Sequence, residues 1–306
     1  MFVIVLNASN IFPDGKNNTL VYNFPNSIQL KDKQIAVSKI IMYYSWFNIL
    51  SSYLNNSFSY TWTVGGVSTV YNVVIPDGLY NITDINSYLQ FTMISNGHYL
   101  INNNNSNVYY AEMIVNQNRY AIQTNTYQVP TSLPTGWSQP SNFAGYPTVS
   151  FNPIITYPLN FNKIVGYTPV ANVVFSSSDN IGNAYIPPSP SADNYYVSKN
   201  GGGTLSYLSN INPDVQPNSS IYLSISNINN PYAQPSSILY AITPNVSIGE
   251  QIIESPPNFM WNKMIDGTYN QLRLQFLGID IQPITLRDPN MTIMLVIKDK
   301  DEFSIK

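Results

Sequence analysis

The side chains that most often carry chemistry in proteins are scarce in this sequence of 306 residues. There is one histidine, His98, and there is no cysteine. A lone histidine leaves multi-histidine metal sites and histidine-based acid–base pairs without a second member. The lack of cysteine excludes disulfides, thiolate zinc sites and cysteine nucleophiles. Because His98 lies between Gly97 and Tyr99, we interpret it as a turn or interface residue.

Facing carboxylates would be needed for glycoside hydrolysis. Glu250 and Glu254 are four residues apart in a stretch bounded by prolines, where a loop or a short edge strand is the simpler interpretation. Asp280 and Asp288 flank a Gln-Pro segment, and Asp-Pro-Asn at 288–290 is typical of a turn. No dense Asp-x-Asp-x-Asp spacing indicates a calcium site. The four glutamates are Glu112, Glu250, Glu254 and Glu302.

Two further motifs favour structural roles. Gly201-Gly202-Gly203 lacks the Lys-Ser/Thr and the helix that follow a phosphate-binding loop, so it predicts a flexible loop. The mixed-sign cluster from Lys298 to Glu302 follows an apolar strand, and it predicts a solvated terminus that opposes edge aggregation. We therefore assign no residue to catalysis, to a cofactor or to a metal.

Charged residues make up only 9% of the chain, against roughly 25% in an average soluble protein. The net charge of −3 excludes a nucleic-acid binder that works by neutralising phosphates. The 24 tyrosines, 13 phenylalanines and 4 tryptophans predict a packed fold, since disordered chains lack aromatics. A surface so poor in charge suits a subunit surrounded by neighbours, although AT-rich codon bias also favours Asn and Tyr. No apolar run is long enough for a membrane span.

The elements that must position these residues are mainly strands, because apolar residues alternate with polar ones. Phe58, Tyr60 and Trp62 alternate with Ser59 and the threonines that follow. Gly65-Gly66 then joins this run to Val67–Ile75, which predicts a tight hairpin. Met291–Ile297 does not alternate and is expected to be buried on both faces or at an interface. Other predicted strands are Phe2–Leu6, Thr19–Phe24, Ile35–Tyr44, Val108–Val115, Tyr120–Thr126, Ile221–Ser226, Ile238–Ile242 and Gln271–Phe276.

One helix is predicted after Thr83 as the N-cap, and it is expected to end at Asn96-Gly97. No capping box is expected, because the third helical residue would be Asn86. A second short helix is predicted near 258–265. The apolar stripe of the first helix is Ile85, Tyr88, Leu89 and Met93.

About ten short strands and one helix predict an all-β fold, a β-sandwich. Long irregular stretches lie near 127–160 and 176–205, and we expect loops or small insertions there. Neither stretch resembles a linker, since similar strand patterns continue on both sides. The sequence therefore predicts a single domain over residues 1–306.

Four segments, taken in order, resemble the jelly-roll capsid proteins of virophages and Polinton-like double-stranded DNA viruses. Residues 37–49 resemble an early core strand of these proteins. Ile75-Pro76-Asp77-Gly78 and the following residues to 89 resemble their strand–turn–helix signature. Residues 161–167 resemble a middle segment, and residues 286–291 resemble the approach to the final strand.

This resemblance implies a single jelly-roll β-sandwich, since the major capsid proteins of these viruses carry two jelly rolls on a longer chain. It implies a penton protein, the minor capsid protein that forms homopentamers at the fivefold vertices of an icosahedral capsid. The implied partners are further copies of the chain and neighbouring double jelly-roll major capsid proteins. The implied location is the virion, with no enzymatic activity, no specific nucleic acid and no membrane span.

Two other functions remain open at this point. A viral attachment or carbohydrate-binding module could stack sugars, or bind a host-surface receptor, through Trp137, Tyr146, Tyr195 or Tyr196 in the long stretches. A carbohydrate-active enzyme would depend on Glu250 and Glu254.

The apolar segment at residues 1–6 has two interpretations. It is either the first strand or a segment that docks on the capsid base or on a neighbour. For docking, we expect deletion of residues 1–6 to leave a folded protein that assembles poorly.

Overall fold

The computed structural model describes residues 1–168, 172–174, 203–215, 218–247 and 249–300. Strands dominate these residues, which confirms the predicted all-β class. The helices are α1 (Ile82–Ser95) and α2 (Leu159–Asn162). The strands are β1 (Phe2–Leu6), β2 (Thr19–Leu30), β3 (Lys33–Tyr43), β4 (Ser57–Val64), β5 (Val67–Val74), β6 (Tyr99–Ile101), β7 (Asn107–Tyr109), β8 (Ala111–Asn116), β9 (Ala121–Thr126), β10 (Ile154–Pro158), β11 (Asn172–Val174), β12 (Leu205–Leu208), β13 (Ile221–Ile225), β14 (Ile238–Ile242), β15 (Gln251–Glu254), β16 (Asn262–Lys263), β17 (Gly267–Leu277) and β18 (Thr292–Asp299).

The chain divides into two compact units, whereas the sequence predicts one domain over 1–306. The first unit contains Met1–Phe47 and Pro217–Lys306, and the second is Asn48–Gln216, inserted between β3 and β13. The stretch near 127–160 belongs to the second unit, and most of the stretch near 176–205 lies outside the described residues. The boundary is invisible in the sequence because both units have the same strand-rich, charge-poor composition.

The first unit has the strand order of a jelly roll. One sheet, which we call the β1 sheet, has the order β1-β18-β3-β15, and the two residues of β16 also pair with β3. The other has the order β14-β13-β17-β2. Counting the eight longer strands along the chain, the orders are 1-8-3-6 and 5-4-7-2. Each sheet thus mixes strands from both ends of the chain, as in the double Greek key of a jelly roll. The predicted jelly-roll sandwich is confirmed for this unit.

The β1 sheet has one buried and one outer face. Ile4 and Leu6 of β1 are buried, whereas Val3 and Val5, which alternate with them, are exposed. Leu295, Val296 and Ile297 of β18 are buried in succession, as expected, whereas Thr292 and Met294 are half-buried and alternate with buried residues. Period-two spacing places alternate side chains on opposite faces, so β1 contributes one row to the core and one to the surface.

The second unit contains three sheets, with the orders β11-β10-β4-β5, β12-β9-β8 and β6-β7. The predicted hairpin of β4 and β5 is confirmed, and Gly65 and Gly66 at its turn both have positive φ. Phe58, Tyr60 and Trp62 are buried in one hydrophobic cluster with the inward residues of α1. The predicted strand at 108–115 is two strands, β7 and β8, and β10 was not predicted.

Helix α1 forms where predicted, but its N-terminal cap differs. The cap is Asn81 and not Thr83: the Asn81 side chain accepts from the Asp84 backbone N–H, and the Asp84 side chain accepts from the Asn81 N–H. This reciprocal pair is a capping box, which the sequence did not predict, because Asn and Asp replace the usual Ser/Thr and Glu/Gln. The helix ends at Gly97 with φ +69°, where a Cβ would lie 1.9 Å from the Asn142 carbonyl oxygen.

The prediction of a second short helix near 258–265 is wrong. Residues 262 and 263 instead form β16, which pairs antiparallel with Gln34 and Ile35 of β3. Pairing to a strand distant in sequence decides this conformation, and no local pattern reports it.

Candidate functional site

The lone histidine is part of the core of the second unit. The His98 ring is fully buried, its Nδ1 lies 2.8 Å from the Tyr60 hydroxyl, and the ring stacks on Trp62 with centroids 4.5 Å apart. Burial lowers the pKa of His98 to about 4. His98 follows the turn that ends α1, as expected, but it is inaccessible to substrate and neutral near pH 7. The structure therefore gives it a packing role.

Glu250 and Glu254 are held by separate partners. Glu254 ends β15, an edge strand of the β1 sheet, and its Oε1 accepts from the Tyr240 hydroxyl at 2.8 Å. Glu250 lies in the preceding turn, and its Oε2 accepts from the Ser247 N–H at 2.9 Å. The expected edge strand is confirmed. Each carboxylate stabilises its own local structure, so the pair does not form the facing carboxylates of a glycosidase.

The two aspartates stabilise turns, as predicted. Asp288 is buried and accepts from the N–H groups of Tyr43 and Asn290, both at 2.7 Å. Asp280 accepts from the Gln282 N–H at 3.1 Å. Among the described residues, no cluster of three or more His, Asp or Glu side chains could hold a metal ion.

A buried amide network in the second unit escaped sequence analysis. On β9, Gln123 Nε2 donates to Asn125 Oδ1 at 2.8 Å, and Asn125 Nδ2 donates to Glu112 Oε1 at 3.0 Å. The Tyr127 hydroxyl donates to the same glutamate oxygen. Burial and then Glu112 raise the pKa of Tyr127. Side chains of this polarity usually predict exposure, but their mutual hydrogen bonds allow them to be buried.

The charge cluster at 298–302 is less solvated than expected. Lys298 is buried and its ammonium lies 4.5 Å from the centroid of the Trp261 ring, a cation–π contact. Asp299 accepts from Lys33 Nζ at 2.5 Å. The expectation of a solvated Lys298 is therefore wrong, because β18 continues through it to Asp299. Glu302 lies outside the described residues.

The loop residues proposed to stack on sugars are not free platforms. Trp137 is only 7% exposed and joins the core cluster of the second unit, which contradicts its expected exposure. Tyr146 is half-buried, with its ring centroid 4.7 Å from that of Phe143. Tyr195, Tyr196 and the first two glycines of Gly201-Gly202-Gly203 lie outside the described residues. The Gly203 carbonyl accepts from Asn152 Nδ2.

A large cavity lies in the second unit, beside the turn between β8 and β9. It measures about 1000 Å³, and Gln117, Arg119, Tyr120 and Asn212 line it together with apolar residues that include Val115 and Pro213. Tyr120 ends the turn with φ 50° and ψ 42°. No feature of the sequence distinguishes this turn, because the cavity forms only when the 212–215 segment packs beside it.

A second surface feature lies on the outer face of the β1 sheet. Val5 pairs with Met294, and Ile41 pairs with Ile253 across the strands. Directly opposite residues share a face, so these side chains project on the same side of the sheet. Val5 is 45% and Ile253 is 56% exposed. We call Val3, Val5, Ile41, Tyr43, Ile253 and Met294 the outer apolar face.

None of the helices within the described ranges has the length and hydrophobicity that crossing a membrane requires. The chain matches no family model and no curated protein.

Two solved structures are similar to nearly the whole chain. The crystal structure of the SeMet-labelled mavirus penton protein is 10% identical, with 97% of each chain covered and a TM-score of 0.40. The 3.5 Å cryo-EM structure of the Sputnik virophage is 11% identical, with 97% of this chain and 98% of that chain covered and a TM-score of 0.35.

Proposed function

We propose that this chain is a structural protein of a virus particle, and in particular a penton protein. In this role it forms a homopentamer at the fivefold vertex of an icosahedral capsid, where it contacts double jelly-roll major capsid proteins. It does no catalysis. The observation that carries the proposal is a jelly-roll unit whose outer apolar face is exposed or half-exposed in the part of the chain that the structure describes.

The segments that resemble viral capsid proteins coincide with elements of the fold. Residues 37–49 include the end of β3, and residues 286–291 lead directly into β18. These two strands pair at the centre of the β1 sheet. Residues 75–89 include the turn into α1 and its first two turns. The ordered resemblance therefore follows the framework of the fold, which supports the proposal.

The outer apolar face is suited to contact with another copy of this chain. Exposed apolar patches of this kind mark interaction sites. By the same pairing, the face also carries one cation, Lys39 opposite Met294, and two uncharged polar residues, Thr292 and Gln251. Covering roughly 800 Å² of apolar surface contributes on the order of 20 kcal/mol before the cost of association is subtracted. A modest contact between neighbouring chains, repeated around a ring, is therefore sufficient to hold the oligomer together.

Ion pairs contribute little to the proposed contact. Charged residues are 9% of the chain, and Lys33–Asp299 is the salt bridge found within the described residues. A head-to-tail contact of one chain with the next can close into a ring. We therefore expect the pentamer to persist in about 1 M NaCl, since that ionic strength screens exposed charges but leaves apolar burial intact.

Native mass spectrometry and sedimentation velocity of the full chain test the proposal. We expect a species of five chains. Ile253→Lys should shift it towards monomer without lowering the melting temperature, because Ile253 projects from an edge strand and is 56% exposed. Val70→Lys is the matched control, as Val70 is 63% exposed on β5 of the second unit.

Three results would contradict the proposal. The first is a monomer at micromolar concentration, and the second is a closed oligomer of another size. The third is that Ile253→Lys and Val70→Lys dissociate the oligomer to the same extent, which would show that the outer apolar face is not part of the contact.

A further inference from the structure

The cavity beside the β8–β9 turn has an exposed aromatic ring that the fold does not use. Tyr120 is 83% exposed, and no ring contact or side-chain hydrogen bond involves it within the described part of the chain. Its backbone is left-handed, with φ 50°, a conformation that costs a bulky residue about 1 kcal/mol or more. Glycine or asparagine would fit this turn with less strain. A role for the ring outside folding accounts for a tyrosine at this position.

Three polar side chains line the cavity together with this ring. In the described residues, Arg119 has no ion pair, and the side-chain amides of Gln117 and Asn212 have no hydrogen-bond partner. All three are exposed and line the cavity with Tyr120. The carboxylate nearest in sequence, Asp214, is not among the residues lining the cavity. The site thus offers one cation, two amides and one aromatic face.

These groups match one class of ligand. The C–H face of a sugar ring packs on an aromatic face, and carboxamides bind vicinal hydroxyls through paired donors and acceptors. A guanidinium binds a carboxylate through two parallel hydrogen bonds. The polar groups of the cavity lie outside the strands, since Gln117–Arg119 is a 3-10 turn and Asn212 follows β12.

We propose that this cavity binds a carboxylate-bearing saccharide, such as a sialic or uronic acid. Tyr120 stacks on the ring, Arg119 pairs with the carboxylate, and Gln117 and Asn212 bind hydroxyl groups. The site lies in the inserted second unit, and it is distinct from Trp137 and the other aromatic residues considered in the sequence. It does not depend on the proposed pentamer.

NMR titration of the full chain with sialyllactose, glucuronic acid and neutral lactose tests this proposal. We expect at least one acidic sugar to bind about tenfold more tightly than lactose, the advantage that a charge-assisted hydrogen bond supplies. Arg119→Gln should reduce its affinity to that of lactose. Asparagine tolerates the left-handed backbone, so Tyr120→Asn should leave the melting temperature unchanged. It should lower the affinity for the acidic sugar about tenfold.

Tyr232→Asn is the matched control, since Tyr232 is 97% exposed in the first unit, and it should leave binding unchanged. The proposal is overturned if neither acidic sugar binds at millimolar concentration. It is equally overturned if lactose binds as tightly as the acidic sugars, or if both cavity variants bind like the wild type. Equal binding of tetraglutamate would assign the site to acidic peptides instead.

Discussion

At the scale of single residues, His98 shows how a residue suited to catalysis becomes part of a core. Its ring stacks on Trp62 and contacts the Tyr60 hydroxyl, and both of these residues lie on the inward face of β4. The Nε2 atom has no hydrogen-bond partner among the described residues. A charged imidazolium there would lose its hydration without gaining a partner. The neutral form is therefore the one that the fold accommodates.

The titration of His98 should be measurable directly, because it is the single histidine. We expect its imidazole resonances in the folded protein to titrate with a pKa of about 4, against 6.5 in urea. As the pH is lowered, His98 takes up its proton in the unfolded chain before it does so in the folded chain. The full stability is therefore present above pH 6.5 and falls as the pH drops towards 4. The loss attributable to His98 is about 3 kcal/mol. A folded-state pKa near 6.5 would contradict the buried, neutral role.

At the scale of elements, β1 resolves the two interpretations of residues 1–6. All five residues of β1 pair with β18, and Ile4 and Leu6 are buried in the jelly-roll unit. The segment is therefore the first strand. From the structure we instead expect deletion of residues 1–6 to destabilise the fold, because it would remove core side chains and expose β18 as a new edge.

Two substitutions within β1 separate its two faces. Leu6→Ala should lower the free energy of unfolding by roughly 3 kcal/mol, since it opens a cavity in the core. Val5 is the neighbouring residue and lies on the outer face. Val5→Ala should lower the free energy of unfolding of the unassembled chain by less than about 1 kcal/mol. Urea denaturation followed by tryptophan fluorescence gives both values. Equal losses would show that β1 is not held in the register described.

At the scale of the whole molecule, the feature of most consequence is that the sequence of one compact unit is inserted into the sequence of the other. The jelly-roll unit is assembled from both ends of the chain, and residues 48–216 form the second unit. Each unit has its own buried residues, with the cluster around Trp62 and α1 in the second. We therefore propose that each unit unfolds cooperatively by itself.

Differential scanning calorimetry of the full chain tests this independence. We expect two transitions, because separate cores lose their packing separately. Leu6→Ala should lower the melting temperature of one transition, and Ile85→Ala, at a fully buried residue of α1, should lower that of the other. A single transition that both substitutions shift would mean that the chain unfolds as one domain, as the sequence predicts.

The sequence by itself determined the local elements. Alternation placed β4, two glycines placed the β4–β5 turn, and Asn96-Gly97 ended α1, since each depends on neighbours within a few residues. Strand order, the unit boundary, the burial of Trp137 and of the β9 amides, and the cavity beside Tyr120 were decided only by tertiary structure. The reason is that local spacing fixes which face a side chain occupies, whereas residues far away in the chain determine what covers that face.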